Sequence, residues 1–172
     1  MNFFELVRAR QSVRMYLNKP LEADKLQQIL KAANDAPSAG NLQSYEIYVV
    51  RERQHKLALA RAAMDQFFIA AVPVALVFCA HSSRASAKYG ERGKRLYSVQ
   101  DATIACTFAM LAIVSQGLGT VWVGAFDEEG VRKVIGVTEE LVPVSILPVG
   151  YPAEAPEKTS RRRLADLVHE VS

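Results

Sequence analysis

The sequence predicts an α+β fold, a central sheet of about four strands flanked by helices. Residues 72–79 (VPVALVFC) form a short, nearly all-apolar run, the pattern of a strand covered on both faces. Residues 98–116 form a longer run that is apolar on most sides, the pattern of a helix buried inside the domain. Around these two, β-branched runs and helix-periodic runs are separated by Gly- and Pro-bearing turns, with no internal repeat, low-complexity tract or linker. The chain has 172 residues, half of them hydrophobic, which suits a single domain over 1–172 with its own core.

In chain order, Phe3, Phe4, Leu6 and Val7 predict a short opening helix that runs into residues 8–14 (RARQSVR). Pro20 begins a new segment, and Asp24 is placed to cap a helix with the apolar face Leu26, Ile29, Leu30 and Ala33. Residues 36–41 (APSAGN) read as a loop. Ile47, Tyr48, Val49 and Val50 make 46–51 a strand, and 55–64 reads as a helix. The 72–79 run is the second strand. Residues 82–95 are polar and basic and read as a solvated, mobile segment. The long helix that follows carries Ala102, Ile104, Ala105, Phe108, Ala109 and Ile113, and it stops at Gly117 and Gly119. Residues 120–124 (TVWVG) are a third strand, 128–135 a short helix, and 142–149 a fourth strand with Pro143 near its start. The tail, 160–171, reads as a last helix or an extended arm.

Composition excludes several functions. A net charge of +3 is too small to imply nucleic acid, and few aromatics lie among the basic clusters. The two cysteines, Cys79 and Cys106, lie singly in apolar runs; they give neither metal spacing nor a disulfide framework and read as reduced, buried thiols. The opening residues lack the apolar core of a signal peptide, and no apolar stretch is long enough to span a bilayer, so a cytoplasmic location is expected. There is no P-loop and no dinucleotide fingerprint. His55, His81 and His169 lack a G-x-S-x-G partner and read as surface residues, and no side chain is assigned as catalytic.

Three segments carry recognisable binding chemistry. Arg10, Gln11, Ser12 and Arg14 bring two guanidinium groups and a hydroxyl together near a helix end, and guanidinium forks match phosphate oxygens in a bidentate way. The tail supplies Lys158, Arg161 and Arg162 as a possible second half of such a clamp. Taken alone, each basic cluster reads as solvated charge. Residues 36–43 (APSAGNLQ) offer main-chain amides and the side chains of Asn41 and Gln43 to the polar edge of a heterocycle. Residues 117–126 end a strand in Gly124 and Ala125, where a ring system can lie against main chain with no large side chain between.

Together these segments resemble the nitroreductase family. FFELVRARQSVRMY is similar to its N-terminal phosphate motif, and APSAGNLQSYEIYVV to its A-P-S-x-x-N-x-Q-P-W-x-F-x-V-V segment. YSVQDATIACTFAMLAIVSQGLGTVWVGAFD resembles its central helix and following strand, and VSILPVGYPAEAPEKTSRRRLADLVHE its closing strand, G-Y-P and basic tail. The four matches run in order from about residue 3 to residue 170.

The resemblance implies a mostly antiparallel sheet, a C-terminal arm exchanged in a homodimer, and FMN sites at the subunit interface. It implies that Arg10, Gln11, Ser12 and Arg14 hold the FMN phosphate and ribityl chain, completed by Arg161, Arg162 and Lys158. Pro37, Ser38, Ala39 and Asn41 contact the flavin from the other subunit; Asp65 and Gln66 lie near its pyrimidine edge; Gly124 and Ala125 lie beside N5. The implied activity is ping-pong hydride transfer from NAD(P)H to FMN, then reduction of an electron-poor small molecule such as a nitroaromatic or quinone, with the flavin carrying the redox chemistry. Dehalogenation, an oxygen-dependent flavin reaction or non-catalytic FMN binding are the alternatives. Four positions depart from the family pattern: Gln11 stands where a basic residue is common, Asp65 where Asn is, and Ser44 and Tyr45 where Pro-Trp is.

Overall fold

The computed structural model describes residues 1–171. Its elements are α1 (Phe3–Ala9), α2 (Ala23–Asn34), β1 (Tyr45–Val50), α3 (Arg53–Ala62), α4 (Phe68–Ala71), β2 (Val74–His81), α5 (Ser82–Arg92), α6 (Ser98–Ser115), α7 (Glu128–Ile135) and β3 (Leu141–Val149). The three strands pair antiparallel in the order β1-β2-β3.

Central β2 explains its own sequence. Val74, Leu76, Phe78 and Ala80 face α2 and α6, in a cluster with Leu26, Ile29, Ala105, Ala109 and Ile113. Ala75, Val77 and Cys79 face the other way, onto Leu59, Ile69 and Val131 from α3, α4 and α7. Helices cover both faces of the sheet, so β2 lacks the apolar-polar alternation of a half-wet antiparallel strand. Helix α6 lies in the first cluster with Ala102, Ala105, Cys106, Ala109 and Ile113 fully buried, as expected of a core helix. Burial pushes both thiols up to about 12, so they are held neutral.

Residues 119–124 lie along the outer edge of β3 yet form only isolated bridges, Gly119 with Gly150 and Val123 with Ile146. This register places Val121 opposite Pro148, which has no N–H to donate. The ladder is interrupted at its centre, and the expected fourth strand is two bridges either side of a proline.

Two other expectations are corrected. Residues 82–95 are not an unstructured segment: they form α5 and run into a π-helical turn, Gly93–Tyr97, that leads into α6. And α2 begins at Ala23 after Glu22, so Asp24 does not cap it but stands in its first turn, where its charge complements the helix dipole. The tail holds one short 3-10 turn, Leu164–Asp166, and is exposed.

Candidate functional site

The stretch after α1 is pinned to the bridged edge segment. Val13 N donates to Thr120 O at 3.0 Å, and Ser12 bridges Thr120 in parallel. Gly119 permits the approach: a Cβ there would stand 2.9–3.1 Å from carbons of the buried Val13 side chain. From the other side, the Glu154 carboxylate accepts the N–H groups of Arg14 at 2.5 Å and Met15 at 2.9 Å. Arg10, Gln11 and Ser12 are half-buried and Arg14 is exposed. Among the described residues neither Arg10 nor Arg14 has a carboxylate at ion-pair distance, whereas Arg95, Arg132, Lys133 and Arg163 do. Both guanidinium groups are thus left without an ion-pair partner among those residues, although the Glu154 carboxylate lies on the Arg14 main chain. Gly119→Ala is expected to force Val13 off this seat and to destabilise the protein by about 1–3 kcal/mol, the range for overpacking. Thermal unfolding measures it, and an unchanged midpoint would show that Val13 yields freely.

At the far end of the same edge segment, two expected site regions meet. Gln66 Nε2 donates to Ala63 O at 2.8 Å and to Ala125 O at 3.3 Å, and Asp127 N donates to Ala62 O at 2.8 Å. Gly124 and Ala125 are exposed, and a Cβ on Gly124 would come 3.0 Å from Trp122 Nε1. The turn carrying Asp65 is strained: Met64 and Asp65 both adopt left-handed backbone, φ 56° and 59°.

The third region is the loop before β1. Gly40, Asn41 and Gln43 have φ of 58°, 57° and 45°. Ser38 Oγ accepts from Gln43 N at 3.0 Å and Gln43 Nε2 at 3.2 Å, and that amide also donates to Asn41 Oδ1. Asp101, buried in the first turn of α6, accepts the N–H of Ala39 at 2.8 Å and of Ser44 at 3.2 Å. Between loop and helix lies a cleft of about 540 Å³ walled by Pro37, Ser38, Ala39, Tyr97 and Ile104. The four non-glycine residues with left-handed backbone among the described residues all fall in these last two regions. Strain of this kind persists where the surroundings over-determine it, commonly at binding sites.

The regions do not converge within one chain. Gln11 and Val13 line a hollow with Val114, Gly117 and Leu118 at the C-terminal end of α6, while Ala39 is tied to Asp101 at its N-terminal end. At about 1.5 Å rise per residue, Asp101 and Val114 stand about 20 Å apart along the axis. The tail stays apart too. Arg161 donates to Thr159 and Ser160, and Arg162 to Asp166 O at 2.6 Å, all within the tail itself. No hydrogen bond or ion pair among the described residues joins Lys158, Arg161 or Arg162 to Arg10 or Arg14.

Residues 7–151 match the family model described as the nitroreductase family. The chain belongs to the nitroreductase family. It is 31% identical over 172 residues to the NADH dehydrogenase of Thermus thermophilus, covering 84% of each chain. It is likewise 31% identical to the FMN reductase [NAD(P)H] of Bacillus subtilis, over 87% of this chain and 66% of that one. Among solved structures, B. megaterium NfrA2 superposes with a TM-score of 0.91 at 29% identity, covering 100% of this chain and 75% of that one. Nitroreductase A from Vibrio parahaemolyticus gives 0.90 at 26%, covering 100% and 77%. This member of the nitroreductase family adds three features that sequence reasoning did not single out: Glu154 under Arg14, Asp101 under the 38–44 loop, and Lys88 with Tyr89 packed on Gly40. Only Asp101 left a signal, as the one carboxylate in a helix otherwise free of charge.

Proposed function

We propose that the protein is a cytoplasmic homodimer that binds FMN between its subunits and uses NAD(P)H to reduce an electron-poor small molecule, such as a nitroaromatic or quinone. The observation that carries the shared site is that the 37–41 loop and the 10–14 stretch pack at opposite ends of α6, about 20 Å apart along its axis, so they do not form one pocket within a chain. A two-fold partner brings the loop of one chain to the phosphate motif of the other. Surface chemistry supports the dimer: α1 buries none of its residues, leaving Phe3 and Phe4 more than 60% exposed, and the tail exposes Leu164, Leu167 and Val168. Free, buried thiols suit a reducing compartment.

The residues fit the cofactor. The unpaired guanidinium groups of Arg10 and Arg14, with Ser12 beside them, bind its phosphate, and the tail cations Lys158, Arg161 and Arg162 complete the clamp. Gln11 contributes no charge there; its amide donates to Arg8 O at 3.3 Å. Gly124 and Ala125 offer exposed main chain beside the ring, Gln66 and Asp65 stand at its polar edge, and Pro37, Ser38, Ala39 and Asn41 come from the partner loop. When bound, FMN supplies two-electron chemistry, hydride in from NAD(P)H and electrons out to the acceptor in alternate halves of a ping-pong cycle.

Purified protein is expected to be yellow, to release FMN on denaturation, and to lose its flavin absorption when NADPH or NADH is added without oxygen. A flavin that neither nucleotide bleaches removes the reductase reading. A monomer by light scattering that still holds FMN removes the shared site.

A further inference from the structure

Part of the basic cluster in residues 82–95 packs on the loop and the tyrosine that wall the cleft. Arg84 and Lys88 lie one turn apart on α5. Arg84 Nε donates to Leu42 O at 2.6 Å. Lys88 Nζ lies against Gly40, 2.8 Å from where a Cβ would stand, and Tyr89 OH packs on the same spot. Glycine at position 40 therefore serves two ends, the left-handed turn and the approach of an ammonium group. Past Lys88 the helix kinks at Gly90 (φ 56°, ψ −143°), which redirects the chain. Arg92 then donates to Tyr97 OH at 3.1 Å and lies 5.5 Å from the Tyr97 ring. Tyr97 is itself a wall of the cleft.

The side chains of Arg84, Lys88 and Arg92 are all exposed, and each also touches the loop or Tyr97. Arg95, just beyond, pairs with Glu91 at 2.6 Å in the ordinary surface manner. Among the described residues, Arg84, Lys88 and Arg92 have no carboxylate at ion-pair distance. Three cations thus stand beside the cleft rather than in its lining, Arg84 and Lys88 on the 40–42 part of the loop and Arg92 on Tyr97, with guanidinium or ammonium donors left over.

We propose, resting on the functional reading above, that Arg84, Lys88 and Arg92 form a cationic rim that selects a phosphorylated hydride donor, NADPH over NADH. The two nucleotides differ by one phosphate dianion, which is the group such a rim recognises. The chain's own residues do this by binding; no redox step passes through them.

The test compares NADPH with NADH on the FMN-loaded dimer, with rates normalised to flavin content. Wild type is expected to favour NADPH by about tenfold or more in kcat/KM, the effect of one charge-assisted hydrogen bond to phosphate. The preference lies in KM and shrinks as salt is raised. In the Arg84→Gln, Lys88→Gln, Arg92→Gln triple variant the ratio is expected to fall to within about threefold, through a higher KM for NADPH. Titration with the non-reacting NADP⁺ and NAD⁺ reads the same selectivity without turnover, so it remains decisive if the acceptor is badly chosen. Equal affinity for the two nucleotides in wild type, or a preference that survives the triple substitution, overturns the rim. Failure of both reduced nucleotides to bleach bound FMN overturns the reductase reading instead.

Discussion

Asp101→Ala is expected to destabilise the protein by about 2–6 kcal/mol, because it strips the acceptor from two main-chain donors, each costing about 1–3 kcal/mol when left unmade. The Ser44 amide is in a buried residue and the Ala39 amide is half-buried, so water replaces the carboxylate poorly. These two amides bracket the left-handed residues Gly40, Asn41 and Gln43. With the bracket gone, the loop is free to relax to ordinary backbone and the cleft wall at residues 37–39 goes with it. FMN affinity should therefore fall by more than the loss of stability alone explains. Asp101→Asn separates charge from geometry: it keeps one acceptor but sets an NH₂ against the second donor, and is expected to lose most of the same stability. Urea unfolding and FMN titration on both variants measure the two effects. A change below about 0.5 kcal/mol in Asp101→Ala, the size of an ordinary surface substitution, would show that Ser38 and Gln43 hold the loop unaided.

Legibility in the sequence followed burial. The β2 run and α6 read correctly because each is covered on nearly every side, so composition alone reports their place. Helix α5 did not, for the converse reason. It buries only Ala85, and the turn after it only Gly93, so no large apolar residue marks a helical period. The edge segment 119–124 failed for a reason no local pattern holds: Pro148, which interrupts its ladder, lies on the partner strand. The four-residue α4 is too short for periodicity to register.

The candidate site divides in the same way. Arg10, Ser12 and Arg14 stand out by residue type as groups able to bind phosphate, although only the family resemblance lifts them above solvated charge. The left-handed turns at Gln43 and Met64 do not stand out, since neither residue type favours that backbone, whereas Asn41 and Asp65 are types that adopt it more readily. Glu154 was invisible because its value is positional: a carboxylate in the closing loop reaches back to the Arg14 and Met15 amides. The distance between the two halves of the site was unreadable before α6 was placed between them.

That distance makes subunit mixing the sharpest expected result. Arg10→Ala with Arg14→Ala removes the phosphate half of every site. Gly40→Val removes the loop half, because a β-branched side chain at φ 58° collides with Tyr89 and Lys88. Each variant alone is expected to assemble as a dimer and to bind almost no FMN. Co-expressed, the two chains pair at random, and about half of the dimers are mixed. Each mixed dimer carries one site with both mutant halves and one site with neither, so flavin content should recover to about a quarter of wild type under two-fold symmetry. Activity per bound flavin should equal wild type, since the recovered sites are unaltered. Recovery requires that the loop and the arginines of one site come from different chains. If both belonged to the same chain, every site in every dimer would carry a defect and mixing would restore nothing.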